Sequence, residues 1–154
     1  MKKRMTLSLI VINSNHLKTM KKIQAMMAVV LVALMAFAVQ SCGSDDKNDL
    51  TSQQYKMVIS LTIQQRGDMT DAEVQKLQSN STEAIGEYLS DKAAESATDQ
   101  AAARMEQAIK AEMAGTTSAV KFTFHITTTR VKDGQQICKW DVVYDNGSVS
   151  TKKY

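Results

Sequence analysis

Between Tyr55 and Gln64 the chain alternates. Tyr55, Met57, Ile59, Leu61 and Ile63 take one side, and Lys56, Ser60, Thr62 and Gln64 the other. A period of two predicts a strand with one wet face, ended by Arg66-Gly67-Asp68. Thr70-Asp71-Ala72-Glu73 then reads as a capping box, because the Thr70 hydroxyl can accept from the Glu73 amide while the Glu73 carboxylate reaches back. Val74, Leu77, Ser81, Ala84/Ile85 and Tyr88/Leu89 follow at helical spacing, with Ser79-Asn80-Ser81 as a bend. Asp91 to Ala97 is read as a connection, and Thr98 as the cap of a second helix. That helix carries Ala101, Met105, Ala108/Ile109 and Met113 on one stripe and ends at Gly115.

The second β block is clearer. Val120, Phe122, Phe124 and Ile126 alternate with Lys121, Thr123, His125 and Thr127, and Cys138, Trp140, Val142 and Tyr144 alternate with Lys139, Asp141 and Val143. A two-residue Asp133-Gly134 turn would set one strand's apolar residues opposite the other's polar ones. A three-residue loop with Gly134 in the left-handed region pairs Ile126 with Trp140, Phe124 with Val142 and Phe122 with Tyr144, so both apolar sets share a face. Asn146-Gly147 predicts a type I′ turn into an edge strand with Val149 beside Tyr144, and Lys152 and Lys153 protect that edge. The expected fold is α+β in two layers: an antiparallel sheet of about four strands, ordered β-α-α-β-β-β, with two helices on one face. That layout is similar to small cystatin-like modules and to helix-plus-sheet lipoproteins of outer-membrane assembly machines, a likeness of architecture that carries no function.

Upstream lies an apolar run, Ala25 to Val39, preceded by Lys21 and Lys22 and followed by Gln40-Ser41-Cys42. This reads as a secretory signal segment, shorter than the roughly 20 apolar residues of a spanning helix. Val39-Gln40-Ser41-Cys42 resembles a lipobox, the recognition site of bacterial lipoproteins, with Gln40 where a small residue is usual. The resemblance implies a lipid on Cys42 and cleavage before it. Residues 1–41 are then the signal peptide, with Met20 an alternative start; 42–50 are the lipidated cysteine and a polar tether; 51–154 are one small domain. Asp45 and Asp46, just behind Cys42, resemble the export signal of some Gram-negative surface lipoproteins.

Processing changes the charge. Lys2, Lys3, Arg4, Lys18, Lys21 and Lys22 all lie before Cys42 and no acid does, so cleavage takes the formal charge from +3 to −3. The basic balance belongs to the leader and gives no support for nucleic-acid binding.

The processed chain keeps one histidine, His125, and one cysteine besides Cys42, namely Cys138. That is too few ligands for an ordinary zinc site, and no cofactor is expected. Alternation puts Cys138 and His125 on opposite faces, which separates a nucleophile from its base. Asp141 is the only acid in the middle of an expected strand, whereas glycoside hydrolysis needs two facing carboxyls. Arg66-Gly67-Asp68 matches an adhesion tripeptide, and its position accounts for it as a turn.

The chain therefore reads as a lipid-anchored envelope protein whose domain binds an envelope or extracellular macromolecule and catalyses nothing. The alternatives are a small carboxylate-dependent glycan hydrolase and a structural spacer. The expected partner surface is the uncovered sheet face: His125 and Asp141, opposite each other, with Ile137 and Val143 as apolar spots.

Overall fold

The computed structural model describes residues 4–39 and 51–154. In chain order the elements are α1 (Arg4–Val39), β1 (Gln53–Arg66), α2 (Asp71–Gln78), β2 (Thr82–Tyr88), α3 (Asp91–Glu112), β3 (Val120–Arg130), β4 (Gln136–Asp145) and β5 (Ser148–Lys153). The strands form one antiparallel sheet in the order β2-β1-β3-β4-β5. The α+β class is as expected, with five strands in place of four.

The extra strand comes from the segment expected to prolong the first helix. The capping box is present, with the Thr70 amide donating to the Glu73 carboxylate at 2.8 Å, but the helix closes at Gln78. Thr82–Tyr88 instead pairs with β1 from Ile59↔Thr82 to Gln53↔Tyr88. Apolar residues at Ala84, Ile85 and Tyr88 fit a helical stripe, yet an unpaired edge on β1 offers seven residues of ladder, and Thr82, Ile85 and Tyr88 suit a pleated surface.

The second helix begins earlier than expected. Ser90 is its cap, accepting from the Ala93 amide at 3.2 Å, so Asp91 to Ala97 is helix rather than connection. Thr98 is fully buried inside it. Its hydroxyl bonds the Ala94 carbonyl at 2.8 Å and the Thr128 hydroxyl at 2.8 Å, which satisfies a polar group that burial would otherwise penalise.

The β3–β4 register is the expected one: Ile126↔Trp140, Phe124↔Val142 and Phe122↔Tyr144. It is reached differently. The Arg130 amide bonds the Gln135 carbonyl and the Gly134 amide bonds the Arg130 carbonyl, so residues 131–134 make a four-residue loop. Gly134 holds φ +70°, and a bulge at Ile137, between the pairs Thr128↔Cys138 and Thr129↔Gln136, restores the frame. Asn146 and Gly147, at φ +48° and +96°, turn the chain into β5, where Val149 lies beside Tyr144.

One sheet face carries Tyr55, Met57, Ile59, Leu61, Phe122, Phe124, Ile126, Val142 and Tyr144, all buried. Phe122 stacks on Tyr144 at 5.1 Å and meets Phe124 edge-on at 5.8 Å. Trp140, expected in this core, is half-buried at its margin and donates its indole proton to Asp99 on α3 at 2.8 Å. Two helices do cover this face, but the second is α1, not the one expected after β1. α1 packs against α3 and β2, burying Ile23, Met26, Val30, Ala33, Leu34 and Phe37. Its segment Thr19–Ala38 is 20 residues long and apolar enough to cross a membrane, longer than the run counted in the sequence.

Candidate functional site

On the sheet face away from α1 and α3, the side chains of the alternate residues gather: Ser60 and Thr62 from β1, Thr123, His125 and Thr127 from β3, and Lys139, Asp141 and Val143 from β4. β-strand alternation places them there, since their chain neighbours are the buried set.

His125 faces Asp141 in the ladder, as expected. Its Nδ1 lies 2.7 Å from Asp141 Oδ1, and Nε2 lies 3.1 Å from Thr62 Oγ1. A carboxylate only accepts, so Nδ1 carries the proton, and in the neutral ring Nε2 accepts from the Thr62 hydroxyl. Tyr154 completes the set by donating its phenolic proton to Asp141 Oδ2 at 2.9 Å. Burial pushes the Asp141 carboxyl up. Hydrogen bonds from His125 and Tyr154, with the charges of His125 and Lys139, outweigh it and hold the group below its ordinary value. Lys139 and Lys152 lie over the Tyr154 ring at 4.7 and 4.5 Å, and the Gln64 amide donates to Thr123 Oγ1 at 2.9 Å.

Thr62–His125–Asp141 has the order of groups in a nucleophile–base–acid relay. Its setting differs from a reaction centre. His125 and Asp141 lie on inner strands whose backbone donors are engaged in the ladder, so they offer no backbone donor to a developing oxyanion. Glycoside chemistry meets a second obstacle. Of the other carboxylates on this face, Asp145 lies four residues along β4 from Asp141, ~13 Å away at ~3.3 Å per residue, and is paired with Lys121, while Glu83 and Glu87 sit on β2. With neighbouring strands ~4.8 Å apart, three strand spacings put them ~14 Å from Asp141, beyond the roughly 5–9.5 Å that such pairs span.

The two expected apolar spots separate. Val143 is half-buried on this face, while Ile137, displaced by the bulge, packs against the core. In its place the face carries Ile85 on β2, opposite Lys56 and 52 % exposed, which the helical spacing of that segment conceals in the sequence. Thr62 and Tyr154 were also missed. Thr62 joins His125 only through the β1–β3 register, and Tyr154 lies beyond the last apolar residue, Val149, that marks β5.

Cys42, Asp45 and Asp46 lie outside the described residues. Cys138 is buried, its thiol pushed up by that burial, as expected of a packing residue. Among the described residues no group of three or more His, Cys, Asp or Glu side chains is placed to hold a metal.

The fold and this face define a small α+β domain with one open, polar sheet surface. No family model, no curated protein and no solved structure matches the chain.

Proposed function

We propose that this is a lipid-anchored cell-envelope protein, held by Cys42 in the outer membrane on the periplasmic or outer side, whose domain binds a macromolecule and performs no catalysis. The observation that carries the reading is the order of the N-terminal signals: Lys21-Lys22, an apolar run to Val39, then Ser41-Cys42. The helix built from that run supports it, since Leu31, Val32 and Met35 are 48, 62 and 65 % exposed. An apolar helix surface of that kind suits lipid better than water. Binding on the open face would use the His125–Asp141–Tyr154 group for polar contacts and Val143 and Ile85 for apolar ones. The partner is a protein or glycan of the envelope or the surroundings, and the acidic processed chain is a poor match for nucleic acid.

The test is fatty-acid labelling of Cys42→Ser beside the unaltered chain. The label is expected on the unaltered protein, with a mass matching removal of residues 1–41, and absent from the variant. Label persisting on the variant overturns the reading.

A further inference from the structure

The seat of α1 is a built groove, not a chance contact. Ile23, Val30 and Phe37 recur every seven residues with Met26 and Ala33 between them, and all five are buried. That is a knob-forming seam. On the opposite wall the buried Ala97 and Ala101 of α3 line a gap with Ala33, Ala36 and Phe37, and the exposed Gln100 and Arg104 form its rim. At the far end, β2 carries Gly86 where a side chain would intrude. A Cβ there would lie 2.7 Å from the Phe37 carbonyl oxygen and 2.9 Å from the Tyr88 ring. Tyr88 donates its hydroxyl to that carbonyl at 2.6 Å and its ring lies 4.9 Å from Phe37. At the near end Lys22 Nζ donates to the Ala114 carbonyl and the Thr116 hydroxyl, both at 3.0 Å, where α3 has just ended.

We infer that this groove is a helix-docking site, and that in the processed chain its occupant is an apolar, alanine-bearing helix of a partner membrane protein. The inference rests on the lipoprotein reading, because cleavage before Cys42 removes α1 and bares the groove. A helix fits better than lipid: the site provides a donor for the open carbonyl of a last helical turn beside a gap for its backbone, whereas a lipid's carbonyls sit at its head-group end and not along the apolar tail. A second copy has no helix to offer. Among the described residues the processed chain keeps α2, eight residues long, and α3, already packed on the sheet. The tether also keeps the groove within reach of the membrane. Its Tyr88 end is paired with Gln53, the start of β1, and the tether from Cys42 to Gln53 extends at most ~40 Å.

The experiment uses the processed lipoprotein extracted from membranes in mild detergent. The probe is a fluorescent peptide of residues 19–38, α1 itself, followed by anisotropy. Saturable binding is expected. It should fall at least tenfold in Gly86→Ala and several-fold in the milder Tyr88→Phe, with the circular dichroism and Trp140 emission of both variants unchanged. A scrambled peptide of the same composition should not compete. Equal binding of the scrambled peptide, or of lipid-only micelles in its place, makes the groove a general apolar surface and overturns the inference. So does a dimer that the peptide fails to displace, or no binding at all. A mass that retains residues 1–41 defeats the lipoprotein reading together with it, whereas a processed chain that ignores the peptide defeats this inference alone.

Discussion

The Tyr88 hydroxyl and the Phe37 carbonyl are joined at 2.6 Å, a buried hydrogen bond between the last residue of β2 and the final turns of α1. It makes the ionisation of one tyrosine a report on whether α1 is in place. Burial pushes the Tyr88 phenol up to about 12. A folded-state value above the unfolded ~10 means the docked form is fully favoured below pH ~10 and loses that contribution as pH climbs toward the folded value. Ultraviolet difference titration of the full chain should show Tyr88 ionising late, as a step separate from Tyr55, whose phenol burial and the bond to Asp91 also push up. Tyr88→Phe should remove that step, and a titration unchanged by the variant would show that Tyr88 is not the protected group.

Asp141 governs the acid side. Its lowered value gives stability that is complete above the unfolded value of ~3.9 and fades as pH falls through the folded one. Asp141→Asn should therefore flatten the acid limb of a stability–pH profile below the unfolded carboxyl value. Tyr154→Phe should flatten it partly, since it removes one of the two hydrogen bonds on that carboxylate. Denaturant midpoints across this range read both effects.

Phe124 and Trp140 should differ in their contribution to stability. Phe124 is 1 % exposed in the middle of β3, so Phe124→Ala should cost ~3–5 kcal/mol. Trp140 is half-buried, so Trp140→Phe should chiefly remove the bond to Asp99, at about 1–3 kcal/mol. Urea unfolding that placed Trp140→Phe above Phe124→Ala would contradict the core described.

Tyr55 is fully buried and donates to Asp91 Oδ1 at 2.7 Å, while Arg130 forks onto the same carboxylate and also holds Asp133 at 2.6 Å. This knot ties the start of α3 to β1 and the β3–β4 loop. Tyr55→Phe should cost ~1.5–3 kcal/mol, the worth of a hydrogen bond to a charged group. The loss should show in thermal unfolding and, more sharply, as faster amide exchange at Ala93 and Ala94, whose bonds close the first turn of α3.

Gly134 isolates a backbone effect. At φ +70° with nothing within 4 Å of a Cβ, Gly134→Ala meets no neighbour and should cost only the left-handed penalty of ~1–2 kcal/mol. A loss much larger than this in urea titration would point to a slip in the hairpin frame.

Local rules were enough for much of this protein. Alternation marked β1, β3 and β4, the Thr70–Glu73 box marked the start of α2, and Asn146-Gly147 marked the last turn. Register also followed, because a slip of one residue would have turned Phe122, Phe124 and Ile126 toward water. His125 and Asp141 were legible together for that reason. What remained depended on partners distant in the chain. Thr82–Tyr88 is a strand because β1 presents an open edge, and a seven-residue pattern cannot tell that from a helical stripe. Thr62 reaches His125 across a strand pair 63 residues apart in sequence. Ile137 turns inward because a bulge absorbs the extra loop residue. The largest difference concerns α1. Its apolar run is visible in the sequence, but the seat that α3, Gly86 and Tyr88 form for it exists only after the sheet has folded. Local patterning decides which residues leave water, whereas tertiary packing decides which surface receives them.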